Sequence, residues 1–255
     1  MATSTTASPR LAPGMRLRQR YLIREVQQRD RYACTYLALD QERFNRPCVV
    51  TEFPLQSANR VAQEKLLERF RQAAYPLFQL NHPQLPHFFG AFRQRQSLFL
   101  AHNHAQGVSY RELLNVRQKQ GKALTEPEVV HLLMHLLPVL SELHQLEIIH
   151  GKISPDCILL PVKPPRSVDA LYRVLQHEAP HLVGLGAVEY LGQTLAMLQD
   201  GRNAGHWSPG QPGYASPEQL QTGKLSPSSD LYALAVTTLV LLTGRPRKTC
   251  SIATP

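Results

Sequence analysis

Hydrophobic and polar positions change their spacing along this chain, and each spacing predicts a different element. Between residues 21 and 40, two runs of alternating apolar positions flank a polar break, which predicts a β-hairpin. Residues 63–80 carry apolar side chains at helical intervals, and residues 124–145 do so over a wider face. Thr125 and Glu128 have the spacing of a capping box, so Thr125 is the predicted N-cap of that second helix.

Composition indicates a folded domain without a nucleic-acid partner. The chain has 255 residues, enough for one large or two small compact units, and 43% of them are hydrophobic. Its formal net charge is +9, spread along the sequence and not accompanied by any nucleic-acid motif. We therefore expect a solvated basic surface suited to an acidic protein partner, and no binding of nucleic acid.

Cysteine usage and apolar run lengths indicate a cytoplasmic protein. The four cysteines form no C-x-x-C pair, which fits free thiols and disfavours zinc; they are Cys34, Cys48, Cys157 and Cys250. No apolar run approaches the roughly 20 residues of a membrane span. The first 20 residues are rich in Ser, Thr and Arg, and we expect a flexible basic tail there.

Residues 149–159 carry the candidate chemistry. Their sequence, Ile-His-Gly-Lys-Ile-Ser-Pro-Asp-Cys-Ile-Leu, resembles the catalytic loop of eukaryotic-type (Hanks-type) Ser/Thr protein kinases as found in bacteria, H-R-D-[LI]-K-P-x-N-[IL]-L. The resemblance places Lys152 at the catalytic aspartate, Ser154 at the phosphate-contacting lysine and Cys157 at the metal-binding asparagine. We expect none of these three degenerate positions to function in catalysis.

The predicted hairpin resembles the glycine-rich loop of the same family. Residues 36–38 and Asp40 match its Y-L-A-x-D ending, and the three glycine positions become Gln28, Asp30 and Ala33. Glycine is needed there because backbone N–H groups must close over a triphosphate without a Cβ in the way. The resemblance therefore implies an ordinary hairpin and not a phosphate cradle.

Three further nucleotide-site positions are also replaced. Residues 46–53 resemble the strand that carries the phosphate lysine, and that lysine becomes Thr51. The helix glutamate that pairs with the lysine becomes Ala73, and the metal-binding aspartate of D-F-G becomes Gly184. With Cys157 also replaced, the resemblance implies no Mg²⁺ ligand, and we expect no metal and no cofactor. ATP binding without Mg²⁺ stays open as an alternative.

Positions that hold the kinase fold together are retained. Asp230 matches the aspartate that binds the backbone of the catalytic loop in the family. His150 matches the histidine that packs beside it. Glu218 matches the glutamate of A-P-E, whose arginine partner in the family lies in the last helices that we expect this chain to lack, so we expect Glu218 to be unpaired or solvated. Near the predicted hinge, His102 and His104 are assigned as polar hinge or core residues and not as a metal pair.

The resemblance implies an α+β, bilobal protein-kinase-like fold. We expect the tail over residues 1–20, a lobe with an antiparallel sheet over 21–103, and a mainly helical lobe over 104–255 that lacks the last helices of the family. The implied function is a catalytically inactive, pseudokinase domain that acts as a regulatory or interaction module in bacterial signalling. The alternatives are an atypical Ser/Thr protein kinase and a nucleotide sensor that binds ATP without turnover.

Overall fold

A computed structural model describes residues 11–30, 32–55, 60–161, 175, 177–200 and 210–245. These residues form two compact units. The first unit contains the described residues up to Phe78, His87–His104 and the helical residues 191–200. The second contains Gln79–Pro86, Ala105–Tyr190 and the described residues from 210 onward. Each unit therefore draws on separate stretches of the chain.

The first unit is built on a six-stranded antiparallel sheet with strand order β1-β2-β3-β4-β6-β5. Its elements are β1 (Arg16–Leu17), β2 (Tyr21–Arg29), β3 (Cys34–Asp40), β4 (Arg46–Pro54), α1 (Arg60–Gln79), β5 (Phe88–Gln94) and β6 (Ser97–Asn103). The predicted hairpin is β2 with β3, and the predicted first helix is α1. One further short 3-10 turn, Gln41–Arg43, follows β3.

The sheet curls because side chains on β2 meet side chains on β5, although these strands are not neighbours. The ring of Tyr21 stacks on Phe92 with centroids 5.5 Å apart. A Cβ at Gly90 would lie 3.0 Å from the Tyr21 hydroxyl, so glycine makes room for this ring. The alternating apolar positions of β2 and β3, such as Ile23 and Tyr36, are buried in the same core.

Part of the segment assigned to a flexible tail is folded. Leu11 and Leu17 are buried in the core of the first unit, and β1 pairs with β2. Residues 11–20 thus differ from the expectation because two leucines among the arginines are enough to fix a short edge strand. Residues 1–10 lie outside the described part of the chain.

The second unit combines a three-stranded sheet with helices. Its elements are β7 (Val108–Ser109), α2 (Tyr110–Gln118), α3 (Glu126–Gln145), β8 (Ile158–Leu160), β9 (His181–Leu182), α4 (Gly186–Asp200), α5 (Pro217–Thr222) and α6 (Pro227–Thr243). Only the part of α4 up to Tyr190 belongs to this unit. The sheet order is β7-β8-β9. Most of the predicted insertion at 160–180 lies outside the described residues.

Helix α3 begins as the sequence predicts. Thr125 is the N-cap, and its backbone N–H and its hydroxyl both donate to the Glu128 carboxylate at 2.8 Å. Its apolar face is narrower than predicted, since Leu137 is 44% exposed while Leu136 and Leu140 are buried. No helix within the described ranges is both long and apolar enough to cross a membrane.

Candidate functional site

Asp230 on α6 fixes the backbone of the loop at 150–157. Its side chain is fully buried. The carboxylate accepts hydrogen bonds from the backbone N–H groups of His150 at 2.9 Å and Gly151 at 2.7 Å, and contacts His144 Nε2 at 2.9 Å. Two amides that would otherwise be buried without an acceptor are thereby satisfied. This is the contact that the family resemblance implies.

His150 is held as a neutral ring. Its Nδ1 accepts from the backbone N–H of Lys152 at 3.2 Å, so the ring proton lies on Nε2, which faces the Val183 carbonyl at 3.1 Å. Burial lowers the pKa of this imidazole below its ordinary value. The ring therefore joins the loop at 150–157 to the segment at 183–186 and has no spare nitrogen for proton transfer.

Cys157 and Gly184 lie against each other. A Cβ at Gly184 would be 3.4 Å from the Cys157 sulfur, and the backbone N–H of Val183 donates to the Cys157 carbonyl at 2.8 Å. The thiol donates to the Lys152 carbonyl at 3.2 Å and lies 3.7 Å from the Ser154 hydroxyl. The two positions at which the family resemblance places metal ligands are therefore neighbours, and neither has a side-chain oxygen.

These donors do not fit Mg²⁺, which prefers oxygen ligands in near-octahedral geometry. Across the described residues no group of three His, Cys, Asp or Glu side chains is placed to hold a metal ion. The carboxylate nearest in sequence, Asp156, forms an ion pair with Arg111 at 3.4 Å. No step of phosphoryl transfer can be derived through a metal held by this donor set.

Lys152 and Gly186 pack together at the end of this loop. A Cβ at Gly186 would lie 2.5 Å from the His150 carbonyl and 3.1 Å from Cγ of Lys152. Only glycine fits at this close approach. The Gly186 N–H donates to the same carbonyl at 2.8 Å, so α4 starts hydrogen-bonded to the loop.

In the first unit, the Asp30 side chain accepts hydrogen bonds from backbone amides of the hairpin turn. Its carboxylate Oδ1 accepts from the N–H groups of Tyr32 and Ala33, both at 2.7 Å. The Asp30 N–H in turn donates to the Ala33 carbonyl at 3.1 Å. Amides that could bind phosphate oxygens in a glycine-rich loop are bound here by a carboxylate of the same turn. Gln28, the other replaced glycine position in the hairpin, is exposed.

Thr51 and Ala73 provide no ion pair. Thr51 is buried on β4, with its hydroxyl 3.3 Å from that of Thr35. Its neighbour Glu52 accepts from the Tyr36 and Ser97 hydroxyls, each at 2.7 Å, and so belongs to the core. Ala73 is exposed on α1. Neither position carries the charge that would balance a triphosphate.

The helical residues from 191 onward belong to the same unit as β4 and pack against it. A Cβ at Gly192 would lie 3.1 Å from the Phe53 ring and 3.3 Å from Cβ of Tyr32. Phe53 is two residues beyond Thr51 and points to the same face of the strand. Sequence reasoning missed this helix, although Val188, Leu191 and Leu195 have helical spacing.

Two residues of α5 form hydrogen bonds that stabilise the fold around the loop at 150–157 and α6. Glu218 accepts from the Ser229 hydroxyl at 3.1 Å, and hydrogen bonds from Ser216 and Ser229 hold the pKa of its carboxyl below the usual value. Glu218 therefore has a serine partner, and it is half-buried and so remains in contact with solvent. Gln219, which the sequence did not single out, donates to the Gly151 carbonyl at 2.8 Å.

The rings near the predicted hinge are packed and neutral. His102 lies on β6 with its ring 4.9 Å from that of Phe88, and its Nδ1 is 2.8 Å from the Asn103 carbonyl. Burial lowers the pKa of His102 to about 4. Burial also lowers the pKa of His104.

Comparison with known sequences identifies the family. The protein kinase domain model matches residues 32–250. Serine/threonine-protein kinase C of Synechocystis sp. is 33% identical over 232 residues, which cover 90% of this chain and 40% of that protein. Serine/threonine-protein kinase PknA of Nostoc sp. is 32% identical over 214 residues, 83% of this chain and 35% of that protein. This chain thus spans well under half the length of these relatives.

Comparison with solved structures confirms the fold class. The PknI kinase domain of Mycobacterium tuberculosis has a TM-score of 0.62, with 19% identity, and the match covers 96% of this chain and 81% of that one. At this identity the match shows the fold alone. Together with the antiparallel sheet of the first unit and the helices of the second, it bears out the predicted α+β, bilobal architecture. The chain belongs to the protein kinase domain family.

Proposed function

We propose that this domain is a pseudokinase: a regulatory or interaction module of kinase fold that does not transfer phosphate. The observation that carries the proposal is the contact of Cys157 with Gly184, which leaves both metal-ligand positions without a side-chain oxygen. Asp30 supports it independently, since its carboxylate takes the turn amides and repels a second anion. No cofactor is expected, and the partner is a protein.

Lys152 is a poor replacement for the missing catalytic base. Phosphoryl transfer depends mainly on positioning and on charge stabilisation by metal and lysine. Loss of those groups at Thr51, Cys157 and Gly184 removes the stabilisation that a base alone could not supply.

The test is a thermal-shift titration with ATP, with and without Mg²⁺ or Mn²⁺. Nucleotide at a hundred times its Kd would add about 2.7 kcal/mol of stability, a shift that is easily measured. We expect no shift at millimolar ATP. A metal-dependent shift would overturn the proposal in favour of an atypical kinase, and a metal-independent shift would favour the nucleotide sensor.

A restored variant makes the negative result informative. The combination Asp30→Gly, Thr51→Lys, Cys157→Asn and Gly184→Asp replaces the blocking carboxylate and returns the phosphate lysine and both metal ligands. We expect it to gain a Mg²⁺-dependent shift. The matched control is Cys34→Asn with Gly121→Asp, which makes two of the same exchanges at a partly buried thiol and at a left-handed glycine with open space around it.

A further inference from the structure

Two turns project from the same end of the first-unit sheet. One row of paired residues crosses the first four strands at this end: Leu17, Tyr21, Asp40 and Arg46. The turn at 18–20 and the turn at 41–45 both lie directly beyond that row. They are joined by a hydrogen bond from the Gln41 N–H to the Arg20 carbonyl at 2.9 Å. The two turns therefore form one continuous surface.

Both turns use a backbone conformation that side chains rarely adopt. Arg18 and Gln19 have φ of 50° and 56°, and Phe44 and Asn45 have φ of 55° and 57°. Left-handed residues other than glycine are strained, and such strain is concentrated at functional surfaces. The side chains of all four residues are exposed, so this end of the sheet displays them at some cost in backbone energy.

The displayed side chain at the second turn is a phenylalanine. Phe44 is 94% exposed, more than any other large hydrophobic side chain in the described ranges. Its neighbours Arg43 and Arg46 are exposed as well. Phe44 therefore buries almost none of its side chain against the described residues.

The arginines around Phe44 keep their charge available. Arg20 is neutralised by Asp40 at 2.7 Å and by Glu42 at 3.0 Å. Arg18, Arg43 and Arg46, by contrast, form no ion pair with any described residue. The guanidinium groups of the first two are held over aromatic rings, with Arg18 5.2 Å from the Phe92 centroid and Arg43 4.7 Å from the Phe89 centroid.

We propose that this surface, the Arg18, Arg43, Phe44 and Arg46 tip, docks the domain on an anionic lipid bilayer. Phe44 inserts among the headgroups, and the three arginines pair with lipid phosphates. A protein interface would surround the hot-spot ring with further apolar contacts, and a single-stranded nucleic acid would need a groove with several stacking rings. An isolated ring within a cationic rim matches a membrane surface better. The inference does not depend on the state of the nucleotide site.

The test is co-sedimentation of the full chain with vesicles. One set contains equal parts of phosphatidylcholine and phosphatidylglycerol, and the other contains phosphatidylcholine alone. We expect binding to the anionic vesicles only, weakening as salt rises because the arginines are exposed. Phe44→Ala should weaken binding at least tenfold through loss of the buried ring. Arg43→Gln with Arg46→Gln should weaken it about 25-fold, at roughly fivefold for each arginine.

Matched controls separate docking from general charge and from misfolding. Arg69→Gln with Arg71→Gln removes the same charge from exposed positions on α1, and Tyr75→Ala removes a ring that is 63% exposed there. Both should bind as the parent does. All variants should keep the parent melting temperature, since the altered side chains are exposed. Phe44→Trp should show a blue shift in emission with anionic vesicles, against the parent signal from Trp207.

Three results would overturn the proposal. The first is no binding to anionic vesicles by the parent. The second is binding that Phe44→Ala leaves unchanged, which would mean nonspecific charge attraction. The third is Phe44-dependent binding of a single-stranded oligonucleotide or of an acidic polyglutamate peptide without vesicle binding, which would assign the tip to that class of partner.

Discussion

Asp230 is the residue on which the loop at 150–157 depends most. Asp230→Ala removes the acceptor of two buried amides, and we expect a loss of about 3 kcal/mol in the free energy of unfolding. Urea denaturation at neutral pH measures it. The matched control is Asp156→Ala, whose carboxylate is 47% exposed and should contribute less than about 0.5 kcal/mol. Equal losses in the two variants would contradict the role assigned to Asp230.

His102 makes stability depend on pH. Because burial lowers its folded-state pKa to about 4, the unfolded chain takes up the proton first as pH falls. Its contribution is complete above the unfolded pKa of about 6.5 and is lost progressively towards pH 4. Between pH 7 and pH 5 the parent should lose about 2 kcal/mol more than His102→Leu does. Urea denaturation at both values checks this.

His87 provides the control for that comparison. It is exposed, and His87→Leu should keep the pH dependence of the parent. A pH dependence that stays unchanged in His102→Leu would contradict the prediction, because the proton uptake would then belong to other groups, such as His150.

Single residues also show what sequence could and could not predict. The positions of Lys152 and Cys157 follow from a linear pattern, because the loop that carries them is continuous, and Gly184 follows from the match of a second short segment to D-F-G. The hydrogen bonds of Asp30 to the amides of its own turn were not predicted, since the sequence implied only an ordinary hairpin there. The contact partners depend on the turn geometry, which the sequence pattern does not fix.

Helices α2 and α3 are joined by a buried ion pair between Arg117 and Glu128. Arg117 donates from Nη1 to the Glu128 carboxylate at 2.7 Å, and its Nη2 contacts the second oxygen. Glu128→Ala should lower the free energy of unfolding by about 3 kcal/mol, because it leaves a buried arginine without its carboxylate. Chemical denaturation gives the value.

The double change Arg117→Leu with Glu128→Leu should lie closer to the parent than Glu128→Ala alone, since no buried charge remains. Glu126→Ala, an exposed acid in the same first turn of α3, should change little. A double variant as unstable as Glu128→Ala would show that the capping box, and not the ion pair, carries the effect.

Packing of residues 191–195 within the first unit depends on the absence of a side chain at Gly192. Gly192→Leu should release residues 191–195, because Phe53 is buried and cannot move aside. Hydrogen–deuterium exchange over these residues should then speed up markedly. Gln193→Leu adds the same side chain at a half-buried neighbouring position and should leave exchange unchanged. Equal acceleration in both would contradict the close packing at Gly192.

The predictable elements are those with a local signal. Helix α3 has a cap and a wide apolar stripe, and the β2–β3 hairpin has alternation on both sides of a polar break. The ion pair between Arg117 and Glu128 joins residues from different helices, and Glu128 already had a local explanation as a capping residue. The curling of the sheet could not be predicted from the sequence either, because it depends on the fit of Tyr21 over Gly90, which lies on a distant strand.

The chain keeps residues that hold the kinase fold together, and in both units it lacks the family's nucleotide and metal groups at the matching positions. We expect no incorporation of labelled phosphate from ATP into the chain or into casein. Lys152→Asp alone should stay inactive, because groups that act as a unit are not additive and the others remain absent. Incorporation by the native chain above a heat-inactivated sample would overturn this expectation. The lobe boundary at residues 103 and 104 stays a prediction.

The discontinuous make-up of the first unit has a consequence during synthesis. Its last strand, β6, leaves the ribosome roughly 90 residues before Leu191 does. At about 5–20 residues per second, that interval lasts on the order of 5–20 s. During this interval Phe53 and Tyr32 are exposed on the nascent chain, because the helical residues that cover them have not yet been synthesised. A chaperone that binds apolar segments should therefore engage this domain during translation and release it once α4 has emerged.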